Sequence, residues 1–308
     1  MKYVLILVGI CTLMLNGPVT CLSQQLPIKP TRTISFSTDE GTNMDVDVSP
    51  DGNNLLFDLL GDIYVVPAIG GQAMQLTRGM ALNVRPAWSP DGSKIAYLSD
   101  FSGNFHLNVM DYKGPFHTVL AASDAPLSYD YSADPVWTAD GNYIAFDKSV
   151  YGLAGGHFPL PIKIGRILRI AANGNLTYGF NRDSSKIYCY DRNSKSKTSL
   201  PAVIEHSLYV TLSPDARWAA YVTDSNSKRC VILKNLTDSN SRILVPSLYL
   251  QDPRYKSGAL STHFCFSPDS KALFIGYGGK LHRIDIESGA NSIIPFTAQV
   301  HVDLGAFN

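Results

Sequence analysis

The sequence has no surplus of charge: 26 Lys and Arg stand against 26 Asp and Glu in 308 residues. No polyanion or anionic membrane surface is therefore implied as a partner, and nucleic acid is a poor match. Charge of either sign is also scarce, at 17%, while hydrophobic residues make up 45% and Gly and Pro number 24 and 18. That balance describes a packed, turn-rich globular protein rather than a disordered chain. No stretch between Ser35 and Phe296 carries a capped helical period, which speaks against an α/β enzyme fold. Histidines show neither His-x-His nor His-Glu-x-x-His spacing, so no metal site is announced, although His106, His206, His263 and His282 each adjoin a strand-like stretch. No Gly-x-Ser-x-Gly nucleophile elbow occurs, and no glycine pair opens a helix as a phosphate cradle would. Neither a catalytic residue nor a cofactor is assigned from these patterns.

Long apolar runs are missing except at the start. Lys2 is followed by an apolar run over residues 3–15, too short to span a bilayer, and Asn16-Gly17-Pro18 breaks it. Residues 1–23 therefore read as a secretory signal peptide, cut after Cys21 or, fitting slightly better, after Ser23, which places the mature protein in the periplasm or outside the cell with no transmembrane segment. A lipid anchor on Cys21 is disfavoured, because Pro18-Val19-Thr20 lacks the small residues that precede a lipidated cysteine. Beyond the leader, Cys189, Cys230 and Cys265 read as small buried hydrophobes rather than a disulfide framework.

What the sequence does have is a repeat. Ser49-Pro50-Asp51-Gly52 recurs as Ser89-Pro90-Asp91-Gly92, Thr138-Ala139-Asp140-Gly141, Ser213-Pro214-Asp215-Ala216 and Ser267-Pro268-Asp269-Ser270. Three residues before each Asp stands a large apolar residue: Val48, Trp88, Trp137, Leu212 and Phe266. Apolar residues return four and six positions after it, as in Leu55 and Phe57 or Ile95 and Tyr97. Period-two hydrophobicity across an Asp-Gly turn is a β-hairpin signal, so Asp51, Gly52, Asp91, Gly92, Asp140, Gly141, Asp215 and Asp269 are assigned to turn-making rather than to acid/base chemistry. Third strands are predicted at 63–66, 107–110, 167–170, 187–190, 231–234 and 281–284, with fourth strands after polar turns. Four short strands per unit of 40 to 50 residues is the arithmetic of a β-propeller over residues 34–300, with about six four-stranded blades. Only residues 178–185 separate the strands ending near Thr177 and starting at Ile187, so the fourth blade is expected to be incomplete. Residues 151–165 read as a loop inserted in the third unit, whose Tyr151, His157 and Phe158 are candidates for contacts at the propeller rim.

The runs Arg32-Thr33-Ile34-Ser35-Phe36, Asp39-Glu40-Gly41-Thr42, Val46-Asp47-Val48-Ser49-Pro50-Asp51-Gly52 and Tyr277-Gly278-Gly279-Lys280-Leu281-His282-Arg283-Ile284-Asp285 give the chain a family look. It resembles the N-terminal TolB-like (WD40-like) propeller of exported bacterial amidohydrolases. In that family a metal-dependent amidohydrolase domain would follow the propeller, so the resemblance carries over no catalytic residue. With no catalytic motif in the chain, the expected role is an exported, non-catalytic module that binds a protein or peptide; the resemblance implies the alternative, a propeller subunit or truncated fragment of a metal-dependent amidohydrolase whose catalytic domain is encoded separately.

Overall fold

The computed structural model describes residues 30–101, 103–114, 117–121, 134–146, 149–159, 166–170, 176–181, 184–204, 207–225, 228–248 and 263–305. The signal segment, Cys21 and His206 lie outside the described residues. Strand β1 (Arg32–Thr38) precedes six blades of four antiparallel strands each. Blade 1 holds β2 (Val46–Val48), β3 (Asn54–Leu59), β4 (Asp62–Pro67) and β5 (Gly71–Gln75), and blade 2 holds β6 (Asn83–Trp88), β7 (Lys94–Ser99), β8 (His106–Asp111) and β9 (His117–Ala121). Blade 3 is β10 (Val136–Trp137), β11 (Tyr143–Phe146), β12 (Ser149–Gly152) and β13 (His157–Pro159), and blade 4 is β14 (Arg166–Ile170), β15 (Leu176–Asn181), β16 (Lys186–Asp191) and β17 (Ser196–Val203). Blade 5 is β18 (Ser207–Leu212), β19 (Trp218–Ser225), β20 (Lys228–Asn235) and β21 (Ser241–Val245). Blade 6 is β22 (Phe264–Phe266), β23 (Ala272–Tyr277), β24 (Lys280–Asp285) and β25 (Asn291–Ile294), and β26 (Phe296–Leu304) follows it.

The repeated turn sets the register of blades 1, 2, 3, 5 and 6. Residues seven apart face each other across it: Val48 and Leu55, Trp88 and Ile95, Trp137 and Ile144, Leu212 and Ala219, Phe266 and Leu273. All of these are buried and feed the cores between adjacent blades. At each turn the hydroxyl donates to the Asp carboxylate, as Ser49 Oγ does to Asp51 Oδ1 at 2.5 Å, and accepts the N–H that restarts the chain, here Asn54 N–H at 2.9 Å. The residue after Asp takes a positive φ, 76° at Gly52 and 56° at Ala216, which is why glycine prevails there.

Blade 4 is complete, contrary to the sequence expectation. Ile170 faces Thr177 with the same seven-residue register, so residues 166–170 are the first strand of blade 4 and not the third strand of blade 3. The missing strands of blade 3 come from the presumed insertion: Tyr151 pairs His157 and Val150 pairs Phe158 in a β12–β13 hairpin. Blade 4 was hidden because Ala171-Ala172-Asn173-Gly174 stands where the other units have Ser-Pro-Asp-Gly, and Thr177 and Gly179 stand where they have large apolar residues.

The ring closes by a strap. Strand β26 leaves blade 6 and adds to blade 1, parallel to β5 with Ala298 beside Ala73, and β1 adds antiparallel to β26 to make a six-stranded sheet. Blade 1 and blade 6 share one core, in which Met44, Val46, Phe57 and Tyr64 pack with Phe274, Leu281, Ile294 and Phe296. Two glycines permit the close approach. A Cβ at Gly70 would lie 2.3 Å from Pro295 O, and one at Gly276 would lie 2.5 Å from Met44 O.

Candidate functional site

Each blade contributes its innermost strand to a central channel of about 350 Å³. Because strand side chains alternate, the residues four and two positions before the turn Ser or Thr point the same way. The outer of these two rings is Asp45, Arg85, Asp134, Tyr209 and His263, joined by Ile167 of blade 4, and all six line the channel. The inner ring is Asp47, Ala87, Val136, Arg169, Thr211 and Cys265.

Charge gathers on the outer ring where blades 1, 2, 3 and 6 meet. Asp45 Oδ1 accepts the His263 N–H at 2.8 Å, while the Asp45 N–H donates to Asp58 Oδ1 at 2.7 Å. Asp134 Oδ1 stands 3.8 Å from Arg85 Nη1 and in direct contact with His263 Nδ1. Arg85 is only 6% exposed and holds φ at 56° beside a break in the β6–β7 register between Val84 and Ala87. A bulky residue kept left-handed at a bulge costs on the order of 1–3 kcal/mol and is a device that re-aims a side chain. The tilted ring of Tyr209 lies 4.4 Å from that of His263, and His263 Nε2 is enclosed without a hydrogen-bond partner among the described residues.

The electrostatics follow from desolvation. Burial lifts the Asp47 carboxyl to about 6, against the Trp88 N–H, the Val48 N–H and the Cys265 thiol that donate to it. Burial, then the neighbouring Asp45 charge, lifts Asp58 well above the carboxylate range. Burial and the Arg85 charge lower His263, opposed by Asp134 and Asp45, so its ring is neutral at pH 7. Burial and the Asp47 charge raise the Cys265 thiol far from reactivity. On the outer ring the Arg85 guanidinium thus shares the channel with the carboxyl groups of Asp45 and Asp134, while Arg169 stands on the inner ring. Among the described residues, no three His, Cys, Asp or Glu side chains are grouped as a metal ion would need.

On the same end of the strands the surface is apolar. Leu60 in the β3–β4 turn is 55% exposed, Leu82 before β6 is 39% and Phe101 after β7 is 71%. These three are neighbours: a Cβ on Gly61 would touch Leu82, and the Leu82 N–H donates to Asp100 Oδ1 at 2.7 Å. The opposite end carries the repeated turns. There the hydroxyl and backbone donors hold Asp51, Asp91, Asp140 and Asp269 below the usual carboxylate range, and at Asp215 partial burial opposes the shift but the same donors prevail.

Residues 25–155 match the family model described as the TolB beta propeller domain. That stretch of the chain is similar to a TolB propeller. Among solved structures, TolB from Acinetobacter baumannii is similar at 18% identity and TM-score 0.58 over 83% of this chain, and the chain spans 65% of that TolB. A chain of the nidogen/laminin complex is similar at 12% identity and TM-score 0.53, covering 80% of this chain and 97% of its own. Oligogalacturonate lyase in complex with manganese is similar at 12% identity and TM-score 0.50, covering 85% of this chain and 98% of its own. A search of curated proteins found no match. Relatives of such different occupations at this identity share the architecture, and fold alone assigns no activity.

The three rim candidates all lie on blade 3. Tyr151 is half-buried against the core that holds Trp137, Ile144 and Phe146, while His157 and Phe158 lie on β13, the outermost strand of blade 3. Of the candidate histidines, His263 lines the channel, and His282 stacks on Tyr277 at 3.9 Å with Nδ1 3.0 Å from Asn291 Oδ1. Single-residue motifs missed the outer ring, since its members differ in type. Stacking the repeats on their turns and reading the column four places earlier finds Asp45, Arg85, Asp134, Tyr209 and His263 together.

Proposed function

We propose that this protein is an exported, non-catalytic binding module that takes a protein or peptide partner at the channel mouth. The observation that carries the reading is the outer ring, where the carboxyl groups of Asp45 and Asp134 stand with Arg85 and a neutral His263, beside the exposed Leu60, Leu82 and Phe101. Desolvated carboxylates gain when a cation enters, so the partner presents a lysine, an arginine or an amino terminus next to an apolar side chain. Export is supported by the basic and apolar start of the sequence. Among the described residues no helix is long and apolar enough to cross a membrane.

The test is site-specific photo-crosslinking in the native host, with the photoreactive residue at Phe101 on the mouth face or at Lys113 on the turn face. A protein adduct from Phe101 that disappears in Asp134→Asn, with none from Lys113, is the expected result. Absence of any adduct, or equal labelling from both faces, overturns the reading. A second reading, favoured by the family look of residues around Asp39, Gly41 and Tyr277, makes the propeller the companion of a separately encoded metal-dependent amidohydrolase. Failure to co-elute with the product of the adjacent gene removes it.

A further inference from the structure

Strand β1 ends the six-stranded sheet of blade 1, and its far edge faces no strand among the described residues. The outer strands of the other blades are blunted. Pro159 ends β13, Lys197 and Pro201 lie within β17, Arg242 lies within β21 and Pro295 follows β25, while the pairing of β9 slips between Leu107 and Asn108. Such charges, prolines and bulges keep sheet edges from pairing with other chains. Past Arg32 at its start, strand β1 has none of them: it pairs β26 without a slip from Arg32 to Thr38, and no charge or proline stands between Thr33 and Thr38.

Its side chains are also self-complementary. Ile34 and Phe36 face Val302 and Val300 of β26, on the face that leads into the shared core, yet they remain 44% and 41% exposed. Thr33 and Ser35 point the other way, bonded to Asp303 at 2.6 Å and to His301 at 2.8 Å. An antiparallel copy of β1 placed by a two-fold axis through Ser35 sets Ile34 opposite Phe36 of the second copy and Phe36 opposite its Ile34. Cross-strand pairs of a β-branched with an aromatic residue are among the favourable ones. The same axis brings Arg32 to the end where the second copy carries Asp39 and Glu40, two carboxylates that share the single ammonium of Lys280 at 2.9 and 3.8 Å. A two-fold contact requires a surface complementary to itself, and this strand meets that condition in shape and charge.

We infer that this face is a homodimer interface in which two β1 strands pair antiparallel about Ser35, joining the first blades of two copies into one continuous sheet. A strand edge of this length buries less than the ~1,200 Å² typical of a tight complex, so association is concentration-dependent. Light scattering on the purified protein is expected to show the mass rising from one chain to two across the micromolar range. Ile34→Lys with Phe36→Lys sets like charges across the axis and is expected to return the monomer at every concentration, with an unchanged melting temperature. Oxidation of Ser35→Cys is expected to give a covalent dimer, because only residue 35 meets its own copy, whereas Thr33→Cys gives none. A wild-type monomer throughout, or a dimer that survives the double lysine variant, overturns the inference, as does equal cross-linking of the two cysteine variants.

Discussion

Blades 1 and 4 share strand order and register but differ in how each is held. Blade 1 is widened by β26 and β1 and shares a core of fifteen buried residues with blade 6, among them Leu55 and Phe57 at 0% exposure. Blade 4 places Thr177 and Gly179 at the positions equivalent to Leu55 and Phe57, and most of the described side chains of β15 and β16 are half-buried. A common backbone therefore tolerates very unequal packing, and the ring is expected to loosen first where the core is thinnest. Amide hydrogen exchange checks this directly: β15 and β16 should exchange ahead of β3 and β23. The reverse order would show that the strap, not the core, is the weak point.

The largest change to this contrast comes from Gly70→Ala. It forces a Cβ to within 2.3 Å of Pro295 O at a φ of 94°, and should cost at least about 3 kcal/mol by opening the seam. Calorimetry would then show blade 1 unfolding with or before blade 4. Next is Asp47→Asn. The wild-type carboxyl rises from 3.8 to about 6 on folding, so the folded state holds the proton more tightly and stability falls as pH climbs from 4 to 6. At neutral pH the buried charge costs on the order of 3 kcal/mol. The variant should therefore melt higher than wild type at pH 7 and converge with it near pH 4. A smaller loss, about 1–2 kcal/mol, is expected for Ser49→Ala, which removes the acceptor of the Asn54 N–H and gives blade 1 the alanine that blade 4 carries as Ala171. Smallest is Thr177→Val, a gain of under about 1 kcal/mol from filling the thin core, read as slower exchange in β15.

The same contrast explains what could be read from the sequence. Hairpins of blades 1, 2, 3, 5 and 6 were legible because Ser or Thr, Asp and the flanking apolar residues recur at fixed offsets, which local turn chemistry demands. Blade 4 escaped because its turn residues and core residues both depart from that pattern. The strap escaped for a different reason: β26 meets β5 and β1 through pairings distant in sequence, and nothing local to Phe296 or Thr33 signals them. Of the channel residues, His263 was visible only as an isolated histidine. Its neighbours Asp45, Arg85 and Asp134 come from three other blades, and only closure of the ring brings the four together.

That closure also sets a clock. Thr33 and Asp303, hydrogen-bonded across β1 and β26, are 270 residues apart in sequence, so the first blade to leave the ribosome is the last to be finished. At ordinary synthesis rates of about 5–20 residues per second, β5 waits roughly 10 to 45 s for β26. Through that interval blade 1 carries the free outer edge of β5 and a core that lacks Phe296, Ala298 and Val300. Contacts of such long span also slow folding. Until β26 arrives, the first sheet therefore presents an unpaired edge to any neighbouring strand, and its core stays open to water.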